Sequence, residues 1–111
     1  MLSVLQEGEF SLILRQSIVD EMRRIIGESG VQSVFYYLDL IKVLHRPAAF
    51  QKRLRSMFRS GSPAIEREIL FGLYRRLNIP FQEQKGYDFA DYVNLAERTF
   101  VASVEKKKEE M

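Results

Sequence analysis

The residues of this chain with chemistry to offer are one histidine, a few neighbouring carboxylates and a block of arginines and lysines. His45 closes a helical pattern, where the negative helix end favours an imidazolium. No cysteine exists to partner it and no acid adjoins it in sequence, so it reads as a boundary residue meeting free carbonyls rather than a proton-transfer group. Asp88 and Asp91 lie one turn apart and, with Glu83, could crowd a cation. Asp88 suits a helix N-cap, however, and Asp91 suits the positive first turn. A calcium or magnesium site needs more oxygen ligands than these three, and no calcium-loop pattern is present. Glycines 8, 27, 30, 61, 72 and 86 match neither the dinucleotide fingerprint nor the P-loop. Without cysteine there is no thiolate nucleophile, disulfide framework or cysteine-ligated zinc. The expectation is therefore a protein that is not an enzyme, with no catalytic residue, metal or cofactor.

The basic block is the stronger signal. Residues 42–76 carry nine basic side chains against two acids, a net +7. Residues 1–41 carry three against six, a net −3, and residues 77–111 carry five against seven, a net −2. The formal total of +2 hides a dipolar molecule whose middle attracts anions. Lys52, Arg55 and Arg59 follow i, i+3, i+7 spacing and form a solvent-facing row; with Arg75 and Arg76 they are the candidate contacts for a partner or for phosphate oxygens. The two helices joined by Ser60-Gly61-Ser62-Pro63 imitate a helix-turn-helix in length, but the second would present Glu66 beside phosphates. A solvated face balanced by acids from the flanking segments is the competing reading, and the one favoured over nucleic-acid binding.

These residues need elements to position them, and the apolar periodicity supplies helices. Leu14, Ile18, Met22 and Ile25, widened by Phe10 and Ile26, predict a helix over 10–27, with Asp20, Glu21, Arg23 and Arg24 away from its centre. Gly27 and Gly30 end it. A second helix over 31–45 is apolar nearly all round, as expected of one buried centrally or shared with a partner; Val34–Leu38 would also suit a strand by composition. Pro47 opens a third helix with Phe50, Leu54, Met57 and Phe58 inward. Ser62 as N-cap and Pro63 at the first position open a fourth, lined by Ile65, Ile69, Leu73 and Leu77. Gly72 within it costs about 1 kcal/mol against alanine, which a close approach by a neighbouring helix would explain. Phe81 tucks back from the 78–87 loop. Asp88 caps a fifth helix, with Tyr87 and Tyr92 as a hydrophobic staple.

The expected fold is all-α, a compact orthogonal bundle of about five helices. One domain spans 1–111, with 1–9 and 105–111 as mobile ends. The start has no basic flank and its apolar run ends at once, so no secretory signal is expected, and no stretch approaches the roughly 18 apolar residues of a membrane span. A cytoplasmic location follows as the expectation. Of the aromatic residues, Tyr36, Tyr37 and Tyr74 stand off the core stripes and are the candidate interface side chains.

The order Gly27-Glu28-Ser29-Gly30, then Ala49-Phe50 with Leu54 and Met57-Phe58, then Ala64-Ile65-Glu66 with Ile69 and Leu73-Tyr74, then Tyr87-Asp88-Phe89 with Asp91-Tyr92-Val93, resembles a small archaeal all-helical output-domain family of unknown function. The similarity spans about residues 12–98 and rests on packing and capping signatures. It implies a signalling or interaction role and assigns no catalytic residue. The family's acidic turn before the fourth helix is replaced here by Arg59-Ser60-Gly61-Ser62-Pro63.

Together these readings point to a non-enzymatic helical interaction or regulatory module. Its partner would be another protein, itself as a homodimer, or both, with no membrane involved. The alternative is a nucleic-acid-binding domain using the basic block at residues 42–76.

Overall fold

The computed structural model describes the backbone of residues 2–38 and 46–109 and the side chains of residues 8–36 and 46–107. Helix α1 (Leu2–Leu38) starts ahead of the expected position and does not stop at the glycines. It breaks at Gly27, where φ 79 and ψ 171 leave the helical region. Only a residue without Cβ adopts that geometry cheaply. The helices expected over 10–27 and 31–45 thus meet at Gly27, one of the two expected boundary glycines, and form one run across that break, with Gly30 inside its second stretch. Among the described residues there are accordingly fewer separate helices than the five or so expected. His45 and the 39–45 half of the expected second helix lie outside the described residues. Up to Leu38 the aromatic stretch is helical, and no strand occurs among the described residues.

Helix α2 (Pro47–Phe58) begins with proline in its first turn and ends in a 3-10 turn, Arg59–Gly61. Helix α3 (Ser62–Arg76) follows at once, and α4 (Phe89–Glu109) comes after an irregular connection. Among the described residues no helix is long and apolar enough to cross a membrane.

The core gathers one stripe from each helix. Phe10, Leu14, Ile18 and Met22 of α1 meet Ile65, Ile69, Leu70 and Leu73 of α3, with Phe50 and Leu54 of α2 and Phe89, Val93 and Ala96 of α4. The pairing of α1 with α3 is the most extensive in the fold. Two expected inner positions stay substantially exposed: Ile25, two residues before the kink, and Met57, next to the end of α2.

The start of α4 and the end of α3 follow their sequence signals. Asp88 Oδ1 accepts the Asp91 N–H and Asp91 Oδ2 accepts the Asp88 N–H, both at 3.0 Å, a reciprocal cap on α4. Tyr87 and Tyr92 meet edge to face across it with ring centroids 5.2 Å apart. At the other end of α3, the Ile79 N–H reaches the Tyr74 carbonyl at 2.9 Å and the Asn78 N–H reaches that of Arg75 at 3.1 Å. Asn78 takes φ 58 to allow this, a left-handed stop that asparagine tolerates. Phe81 folds back as expected, its ring 5.0 Å from Phe71, 5.1 Å from Tyr74 and 5.0 Å from Tyr92.

Ser62 departs from expectation. It lies inside α3, fully buried, and Gly61 takes the cap position with no side-chain hydrogen bond.

Candidate functional site

The basic block divides in two when the chain folds. Its α3 half is neutralised from within the chain. Arg75 Nη2 donates to Glu21 Oε1 at 3.0 Å, and Arg76 Nη2 donates to Asp20 Oδ2 at 2.8 Å. Arg24 Nη2 lies 2.8 Å from both Glu21 Oε2 and Glu68 Oε2, tying the α1 and α3 carboxylates together. The Glu21 side chain is only 4% exposed, so this acid stands in the α1–α3 interface rather than away from it. Gly72 makes room: a Cβ there would lie 2.8 Å from Glu21 Cγ and Oε1 and 2.9 Å from Arg76 Nη1. Gln16 donates to Asp20 and Arg76 pairs with it, which holds the Asp20 carboxyl below its usual range despite some desolvation. Hydrogen bonding to Glu21, then Glu68, pushes the Arg24 guanidinium above its usual value. Arg67 pairs with Glu83 of the α3–α4 connection and lies 5.8 Å from the Phe71 ring centroid. Arg75 and Arg76, candidate contacts for an outside partner, thus carry charges already matched by carboxylates of α1.

The α2 half is different. Lys52, Arg55 and Arg59 are all exposed, as their spacing predicts. Arg55 leans on Glu66, Nε to Oε2 at 3.2 Å and Nη2 to Oε1 at 3.4 Å. Glu66 is buried and also accepts from the Ser62 hydroxyl at 2.6 Å and from Gln51 Nε2 at 2.9 Å. Ser62 and Glu66 thus face inward, and neither is offered to solvent at the start of α3. Arg46, Lys52 and Arg59 make no ion pair with any acid among the described residues. The segment 46–61 carries five cations and no acid of its own.

Arg59 also holds an unusual backbone. Its φ of 51 and ψ of −119 lie where glycine is comfortable and a side chain is not. Two residues on, Gly61 has φ −82 and ψ −13, which any residue adopts.

The candidate interface tyrosines separate. Tyr36 is 84% exposed. Tyr37 lies outside the residues whose side chains are described. Tyr74 is 3% exposed and donates its hydroxyl to the Tyr92 carbonyl at 2.7 Å. Burial first, then the neighbouring Tyr92 and Tyr87, push its phenol up to about 12. Tyr74 is therefore a core residue and not an interface candidate: it follows Leu73 on the inward side of α3, under Phe81.

A depression of about 180 Å³ lies among Arg55, Glu66, Arg67, Phe81, Tyr87 and Tyr92. Its charged groups already engage one another or Glu83. Its rings touch each other, Phe81 on Tyr92 and Tyr92 on Tyr87, so they do not stand apart as the walls of a cation cage. Asp88, Asp91 and Glu83, the carboxylates that could have crowded a cation, serve the α4 cap and the Arg67 pair.

The buried acids Glu21 and Glu66 were the residues sequence reasoning missed. Both stand at stripe positions, Glu21 three after Ile18 and Glu66 three before Ile69, and that spacing was the available signal. No family model matches the chain, and neither does any curated protein or solved structure.

Proposed function

We propose that this protein is a non-enzymatic helical interaction module of regulatory or output type, docking an anionic partner on the exposed face of α2. The observation that carries this reading is the division of the basic block. Arg67, Arg75 and Arg76 have carboxylates of their own chain, while Lys52 and Arg59 are exposed and pair with no acid among the described residues. Unmatched cations on one face raise the local concentration of anions and steer association. The described carboxylates best placed for catalysis or metal binding are occupied in caps and ion pairs, which favours binding over chemistry. Self-association belongs to the same proposal and is supported by Tyr36, a large ring left almost wholly exposed. A cytoplasmic setting and the signalling role implied by the family resemblance complete it.

Retention on a heparin column tests the docking surface. The native chain should elute at markedly higher salt than Lys52→Glu with Arg59→Glu, whereas Arg15→Gln with Arg98→Gln should shift elution little. Equal elution of all three would reject the α2 face. Sedimentation showing only monomer at high micromolar concentration would reject self-association.

A further inference from the structure

We infer that the partner of the α2 face is the phosphodiester backbone of a nucleic acid, contacted by Lys52, Arg59 and the outward N–H groups of Arg55; this rests on the docking reading above. Two observations separate a phosphate backbone from an acidic protein surface. First, the face around the cations is made of small side chains. Ala48, Ser56, Ser60 and Gly61 are exposed there, and the exposed large apolar residue of α2 is Met57, which follows the inward stripe of Phe50 and Leu54. A protein interface draws its affinity from apolar and aromatic anchors, which this face lacks. Phosphate recognition needs donors that can come close, and small neighbours permit that. The row from Lys52 to Arg59 spans about 10 Å at helical rise, comparable to about three phosphates along one strand.

Second, the strained residue of the turn is an arginine. At φ 51 and ψ −119 glycine would serve the backbone better, and a glycine stands two residues away where none is required. Strain at an exposed cation points to a use for the side chain rather than to the needs of the turn. Arg59 is accordingly the contact most sensitive to loss.

Fluorescence anisotropy with labelled duplex and single-stranded DNA of about 20 nucleotides, at about 50 mM salt, tests this. The native chain should bind at least one of them, with a logarithmic salt slope of about −2 to −3. Arg59→Gly should raise Tm yet weaken binding at least about three-fold, a combination that a merely structural arginine does not give. Lys52→Glu with Arg59→Glu should abolish binding, and Arg15→Gln with Arg98→Gln should stay within about two-fold. Circular dichroism confirms folding of each variant. If polyglutamate binds as tightly as DNA, the partner is an acidic protein; the inference falls and the docking reading survives. If neither DNA nor polyglutamate binds, both fall. If the control pair weakens binding as much as the α2 pair, the site assignment is wrong.

Discussion

Gly72 of α3 lies directly beneath Glu21 of α1: a methyl group added there would sit 2.8 Å from Glu21 Cγ. That distance is well inside van der Waals contact, and Glu21 cannot swing aside cheaply because Arg24 and Arg75 hold its two oxygens. Gly72→Ala gains about 1 kcal/mol of helix propensity. The expected outcome is nevertheless a loss of about 1–3 kcal/mol, because overpacking displaces a paired, buried carboxylate. Urea unfolding of the variant checks it; a gain in stability would mean Glu21 moves freely.

Glu66 anchors the start of α3 to α2 through Ser62, Gln51 and Arg55. Glu66→Ala should cost about 3 kcal/mol, since it strands two buried donors. Arg55→Gln should cost less than about 1 kcal/mol, because that side chain is half exposed and its pair is screened. Thermal unfolding of the two variants side by side tests the ordering.

Tyr74 ties the alkaline limit of stability to one phenol. Its pKa is pushed up to about 12 in the fold, above the ordinary value near 10. The unfolded chain therefore releases this proton first. Stability from the buried neutral phenol is complete below pH about 10 and is lost as pH rises toward about 12. Tyr74→Phe should remove this slope while costing about 1 kcal/mol at neutral pH through the hydrogen bond to Tyr92. Denaturation curves at neutral and alkaline pH separate the two effects.

Asp20 acts at the other end of the scale. Its pKa is lowered by Gln16 and Arg76, so the contribution is present above the unfolded carboxylate value of about 3.9 and lost as pH falls through the lower folded value. The stability difference between the native chain and Asp20→Asn should shrink steadily below pH about 4. A difference that is constant with pH would show that Asp20 contributes by shape alone.

Much of the scaffold was legible in single residues, because local chemistry decides it. The i, i+4 run of Leu14, Ile18 and Met22 could bury only one face, and Asp88 three residues before Asp91 had a ready use at a helix start. Gly72 announced a close neighbour, and Phe81 had nowhere apolar to go except back over the core. What stayed hidden depended on docking. Arg75 and Glu21 stand 54 residues apart, and no periodicity within either helix names the other. Charged side chains on the stripe were assigned outward because burial of a carboxylate is normally costly; the arginines that make it tolerable belong to another element. The same gap in information hid the carboxylate partners of Arg75 and Arg76 and the burial of Tyr74.

The α3–α4 connection has no regular secondary structure, yet it is sewn to both helices. The Phe81 ring wedges among Phe71, Tyr74 and Tyr92, and the Gln84 backbone meets the Tyr92 hydroxyl at 2.8 Å from its nitrogen and 3.3 Å from its oxygen. Segments bound this way open only when their supports part. Trypsin scission after the exposed Lys85 is thus a stopwatch for loss of the entire domain, not for idle flexing of a surface strap.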